Sequence, residues 1–273
     1  MNYLDNSLAL EVDNVHFAYG KGSHPVLEGI SFGVENGMLC GLVGPNGCGK
    51  TTLFKCCLRF LKISKGKITI QGNDIKKLKI NHLARLISYV PQEHQGAFPY
   101  LVKEVILMGR TPHMHGFSGI GAKDKARAME ALTLIGISDL ADKPFTQLSG
   151  GQRQLVLIAR AIAQETKLMF LDEPTSALDL KNQIKVWEIM RKVTQKGVTV
   201  LACCHDPNQV AWFCDRVVVL NHAGIAAIGT PEDVITEKVL DRIYDGACTV
   251  KGIDGIKMVL PRNLRFQKPD AIN

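Results

Sequence analysis

The sequence predicts an α/β fold, and three observations carry that expectation. The octet Gly44-Pro45-Asn46-Gly47-Cys48-Gly49-Lys50-Thr51 fits G-x-x-x-x-G-K-[ST] and lies between an apolar strand pattern, Leu39–Val43, and a helix-forming stretch, residues 51–60. A second apolar run, Leu168 to Leu171, ends in the consecutive acids Asp172 and Glu173. Between them, residues 102–164 have helical periodicity and few strand signals, so a helical block interrupts an otherwise alternating strand–helix pattern.

In chain order, residues 8–19 alternate as one or two strands and residues 26–34 as another, with Gly37 turning into the strand Leu39–Val43. Tyr19, just before a glycine, can stack on a nucleotide base or serve as a core or edge aromatic. After the helix at 51–60 come a strand at 67–71, a turn at 72–74, and a strand at 87–90 stopped by Pro91. Gln92 follows; it can reach a metal or a water, or simply face solvent. The helical block predicts helices at 102–108, 123–136 and 153–163. The second of these places Ala126, Met129, Leu132 and Ile135 on one face. Residues 110–116 read as a loop, where His113 and His115 lack a nearby third ligand and so read as ordinary loop histidines. After Asp172 and Glu173 the pattern gives a turn at 176–179, an amphipathic helix at 182–195, strands at 197–202 and 216–220, and a turn at 224–229. A helix then starts at Thr230-Pro231, with Thr as cap and Pro in the first turn.

The chemistry gathers at three places. In the octet, glycines let backbone N–H groups converge on an anion, the helix start adds unsatisfied donors, Lys50 adds charge and the Thr51 hydroxyl can ligate Mg²⁺. Leu148-Ser149-Gly150-Gly151-Gln152 opens the next helix with the same phosphate competence, although Ser149 is also an ordinary N-cap type. Asp172 and Glu173, adjacent on a strand, face opposite ways: Asp172 is placed to hold Mg²⁺, Glu173 to take a proton from an attacking water. His205, at the carboxyl end of a later strand, is placed to touch a phosphate.

Composition bounds the function. The 273 residues, 46% hydrophobic and 22% charged, suffice for one large domain or two small ones. The start lacks a signal-peptide pattern, and no apolar run reaches the ~18 residues that cross a bilayer. Eight cysteines without any C-x-x-C read as buried, reduced thiols. The net charge is +7, with lysines at 62–67 and 76–79 and a basic tail at 251–268. No aromatic ladder accompanies them, which argues against a nucleic-acid partner.

In this order, the motifs resemble the ATPase subunit of an ABC transporter across roughly residues 8–245. The resemblance implies a P-loop NTPase (RecA-like) core with an antiparallel β subdomain and an inserted α-helical subdomain, L-shaped overall. Residues 1–92 and 165–245 would form the core, 93–164 the helical subdomain with the signature, and 246–273 a short extension. It implies ATP and Mg²⁺ as cofactors. Tyr19 would be the adenine platform, Gly44 through Thr51 with Thr52 the phosphate site, and Thr51, Gln92 and Asp172 the metal ligands. Glu173, His205 and Gln92 would be the catalytic group. Ser149, Gly150, Gly151 and Gln152 would contact the ATP of a partner subunit, and Asp179 would couple the two halves of a homodimer holding two ATP at its interface. Met108-Gly109-Arg110-Thr111-Pro112-His113 and a terminal hairpin at 250–261 resemble the importer branch for iron–siderophores, haem and cobalamin. That branch implies two permease subunits, an external substrate-binding protein, and a place on the cytoplasmic face of a prokaryotic membrane. Two other expectations compete: an ABC-type ATPase in a non-transport role, such as iron–sulfur assembly or DNA repair, and an importer of another small solute such as molybdate. Cys48 stands where the family often has serine, which suggests sensitivity to thiol reagents.

Overall fold

A computed structural model of the chain describes residues 8–20, 22–92, 99–114, 119–176, 178–222 and 224–262. Two sheets form its frame. The first is antiparallel: β1 (Leu8–Phe17), β2 (Leu27–Glu35), β4 (Lys65–Ile70) and the two-residue β5 (Asn73–Asp74), in the order β2-β1-β4-β5. The second contains β3 (Leu39–Val43), β6 (Ile87–Val90), β7 (Leu168–Asp172), β8 (Thr199–Cys204), β9 (Arg216–Leu220) and β10 (Ile225–Gly229). Its order is β10-β9-β3-β8-β7-β6, parallel except where β10 pairs antiparallel with β9. Every residue of β3, β7 and β8 is buried, as expected of parallel strands covered on both faces.

The alternation of side chains across this sheet splits the core in two. Cys40, Leu42, Phe170 and Leu201 face α1 (Lys50–Cys57) and the antiparallel sheet, where Phe54 stacks on Phe170 with centroids 4.4 Å apart. Leu39, Val43, Met169, Leu171 and Ala202 face the opposite layer. That layer includes α3 (Val102–Leu107), α4 (Ala122–Ile135), α5 (Gly150–Ala163) and α6 (Leu180–Gln195). The short α2 (Ile80–Leu86), α7 (Pro207–Phe213), α8 (Pro231–Val234) and α9 (Glu237–Tyr244) complete the helices, and β11 (Cys248–Ile253) pairs with β12 (Ile256–Pro261) as the terminal hairpin. Full burial of Phe54 and Phe170 contributes about 1.5–3 kcal/mol each relative to exposure.

Several local expectations change. The helix after the octet stops at Cys57, because the chain turns at Arg59, which takes φ 61. The buried stripe of α4 is Ala128, Ala131, Leu132 and Ile135, leaving Ala126 and Met129 outside. The turn expected at 224–229 is strand β10, because its backbone completes the ladder of β9. The loop expected at 110–116 begins as a 3-10 turn, Met108–His113, in which Arg110 is only 3% exposed. Its guanidinium donates to Asp124 (3.0 Å), Glu165 (2.7 Å) and the Ala163 carbonyl (2.7 Å). His113 bonds the Gln164 carbonyl at 2.7 Å; His115 and the far end of the basic tail lie outside the described residues. All eight cysteines are free and buried. Among the described residues, no helix is long and apolar enough to cross a membrane.

Candidate functional site

The carboxyl ends of four neighbouring strands converge. The octet follows β3, His205 follows β8, Asp172 closes β7 with Glu173 next after it, and Gln92 lies two residues beyond β6. Residues this far apart in sequence meet because parallel strands all end on the same edge. A cleft of about 530 Å³ opens there, lined by Tyr19, Asn46, Gly47, Lys50, Thr51, Thr52, Gln92, Glu173 and His205 among others.

Two glycines of the octet are dictated by space. A Cβ on Gly44 would fall 2.4 Å from the Leu220 carbonyl oxygen. Gly49 caps α1 at φ 100, with Leu27 2.9 Å from any Cβ. No side chain caps α1, so its first-turn N–H groups remain available to an anion. Lys50 is 6% exposed, and its ammonium donates to the carbonyls of Gly44 (2.8 Å) and Pro45 (3.1 Å). The Cys48 thiol is 2% exposed and its pKa is pushed up, chiefly by burial, with Lys50 opposing. In this conformation it is a poor target for thiol reagents, contrary to the expectation from sequence.

Asp172 and Glu173 take different surroundings, but not by strand alternation: β7 ends at Asp172, and Glu173 follows it in a left-handed turn. Asp172, 1% exposed, accepts from the Thr51 hydroxyl at 3.3 Å and from the Tyr89 hydroxyl at 3.3 Å. Burial first, and the Asp172 charge second, push the Tyr89 phenol well above its usual range, so it stays a neutral donor. A hydroxyl and a carboxylate facing one corner are hard oxygen donors of the kind Mg²⁺ prefers. Among the described residues, no group of three or more His, Cys, Asp or Glu is placed to hold a metal ion. Glu173 sits at φ 51, 8% exposed, its carboxylate held by the Gln92 amide on one oxygen and by the His205 Nε2 on the other. Three expected site residues are therefore in contact. Tyr19 is 63% exposed, with its hydroxyl 3.0 Å from that of Thr52 and its ring T-shaped to Phe17, so much of the ring is open to a planar base.

The second glycine turn does not line this cleft. Ser149 caps α5 in a reciprocal box with Gln152, at 3.3 and 3.1 Å. A Cβ on Gly151 would meet Leu178 at 3.1 Å, whereas one on Gly150 would meet nothing, leaving bare backbone at an exposed helix start. Asp179 caps α6 through the Asn182 N–H at 2.8 Å; its neighbour Ala177 lies outside the described residues. Tyr89 escapes a reading of the sequence, since only the register that pairs it with Phe170 brings it near Asp172. So does the network behind His205. There, Gln209 Oε1 accepts from Thr175 (2.8 Å) and Trp187 (3.1 Å), while its amide donates to Gln183 (3.1 Å).

A phosphate loop at the carboxyl end of a central parallel strand, with a buried acid pair at the end of a strand two places away, defines a nucleoside-triphosphate hydrolase of the phosphate-loop class. Residues 27–176 match the ABC transporter family, and the chain belongs to it as an ATP-binding, ATP-hydrolysing subunit. The ferric enterobactin transport ATP-binding protein FepC of Escherichia coli is 33% identical over 245 residues, covering 89% of this chain and 90% of that protein. The hemin import ATP-binding protein HmuV of Rhodococcus jostii is 34% identical over 258 residues, covering 94% and 87%. A metal-chelate type ABC transporter solved in an inward-facing conformation matches with TM-score 0.80 at 33% identity, over 93% of this chain and 97% of that one.

Proposed function

We propose that the chain powers uptake of a metal chelate, of the iron–siderophore or haem type, through a separate membrane permease. The observation that carries the catalytic part is the Glu173 carboxylate, buried beside the phosphate loop and held between Gln92 and His205. The relatives named for ferric enterobactin and hemin, and the metal-chelate transporter, support the cargo class.

In this reading Tyr19 stacks on adenine, and the octet with Thr52 holds the phosphates. Thr51 and Asp172 hold Mg²⁺, which when bound neutralises phosphate charge. Gln92, whose amide nitrogen is engaged by Glu173, keeps its carbonyl end for the ion or the attacking water. Glu173 takes the water's proton, and His205 orients that carboxylate and reaches the terminal phosphate. Cassettes of this family act as dimers with permease partners. Here the dimer holds two ATP, each covered by Ser149, Gly150, Gly151 and Gln152 of the other copy, with Asp179 beside the junction. Two permease subunits and an external binding protein complete the assembly, with this chain on its cytoplasmic face.

The cargo is tested by reconstituting the chain with its permease in vesicles. ATP-dependent accumulation of ferric siderophore or haem is expected; ATP-driven uptake of molybdate alone would replace the cargo assignment. The shared site has its own test. Ser149→Arg should lose most turnover, at least tenfold, because a cation and a bulky chain then meet the partner's nucleotide. Equilibrium ATP binding to the mutant's own octet should persist, and normal turnover would remove the shared-site reading.

A further inference from the structure

The switch from strand β8 to helix α7 passes through His205 and Asp206, and the carboxyl-terminal elements grip this segment from two sides. Asp206 caps α7, accepting from the Asn208 N–H at 2.8 Å. The Asn208 side chain then pairs with the backbone of β12 as a neighbouring strand would. Its Nδ2 donates to the Val259 carbonyl at 3.1 Å and its Oδ1 accepts the Val259 N–H at 2.7 Å. One turn further, the Trp212 indole donates to the Lys257 carbonyl at 3.0 Å. The free edge of β12 is thus satisfied by α7, which removes the usual reason for an edge strand to drift.

From the other side, the Tyr244 hydroxyl at the end of α9 donates to the His205 carbonyl at 3.4 Å. The hairpin and α9 are themselves locked. Arg262 spans Asp241 (2.8 Å) and the Cys248 carbonyl (3.1 Å), Glu237 accepts from the Val250 N–H (3.2 Å), and Lys257 donates to the Ile235 carbonyl (3.1 Å). His205 needs such support. Its side chain is 44% exposed and bonds the Glu173 carboxylate it must orient.

The geometry points to the terminal hairpin and α9 as a tether that sets the position of His205, with Tyr244 and Asn208 as positioning residues for ATP hydrolysis. This rests on the reading of His205 given above. A small displacement of a catalytic side chain costs rate far more than it costs substrate binding, so the tether acts on turnover.

The test is steady-state ATPase of the full chain, in the wild-type and His205→Ala backgrounds. Tyr244→Phe keeps the ring and removes only the hydroxyl. It should lower kcat about fivefold and Asn208→Ala about tenfold, with KM for ATP within about twofold and unchanged melting for Tyr244→Phe. In the His205→Ala background Tyr244→Phe should have no further effect, since residues acting through one group are not additive. Unchanged kcat for Tyr244→Phe, or the same fold loss in both backgrounds, overturns the tether alone. Full turnover by His205→Ala by itself overturns the tether together with the reading of the cleft.

Discussion

Glu173→Gln is expected to bind ATP normally and to hydrolyse it roughly 10²–10⁴-fold more slowly, the range that positioned proton transfer supplies. The substitution preserves shape: an amide in the same pocket still meets Gln92 and His205, and the backbone at φ 51 keeps a similar side chain. What disappears is the capacity to accept a proton, so the defect falls on turnover and spares affinity. Binding without hydrolysis leaves the ATP-held dimer no route apart. The mutant should therefore accumulate as a dimer in the presence of MgATP, seen by light scattering as a doubled mass that the wild type shows only transiently. Turnover within a few-fold of wild type would remove Glu173 from the role of base.

Lys50→Ala is expected to weaken ATP binding by one to two orders of magnitude. A hydrogen bond to a charged group contributes about 1.5–3 kcal/mol, and each 1.4 kcal/mol is tenfold in affinity. The buried ammonium donates to the Gly44 and Pro45 carbonyls, so it is held inside the loop rather than waving in solvent. Binding exchanges two carbonyl dipoles for phosphate charge, and the mutant loses both arrangements. Filter or fluorescence titration with ATP measures the loss; wild-type affinity would contradict the cradle. Melting temperature separates a loosened loop from an unfolded chain.

The parts of the site most legible in the sequence are those that sit together on the chain. The octet announces itself because the constraints on Gly44 and Gly49 are local, and Asp172 with Glu173 stands out as acids ending an apolar run. Gln92 and His205 could be placed because strand ends of a parallel sheet share an edge. Tyr89 could not, because its contact with Asp172 depends on the register of β6 against β7. Strand β10 read as a turn, since Ile225 to Gly229 is short and rich in small residues, and only pairing with β9 makes it a strand. In α4, Met129 looked like core but stands outside, while Ala128 and Ala131 face the close approach of neighbouring helices. Periodicity gives a helix; which of two adjacent stripes is buried depends on neighbours the local pattern does not contain.

The buried Arg110 has a mechanical consequence. Its guanidinium joins the 3-10 turn after α3 to Asp124 at the start of α4 and to the Ala163 carbonyl and Glu165 at the end of α5. The guanidinium is buried while Asp124 and Glu165 reach toward solvent, so the arginine is held by charge-assisted bonds from the outside and a backbone carbonyl from within. Gly109 reinforces it, for a Cβ there would strike the Arg160 carbonyl at 2.3 Å. The turn after α3, the start of α4 and the end of α5 therefore share one fastening point, so shifting any one of them strains the same set of hydrogen bonds.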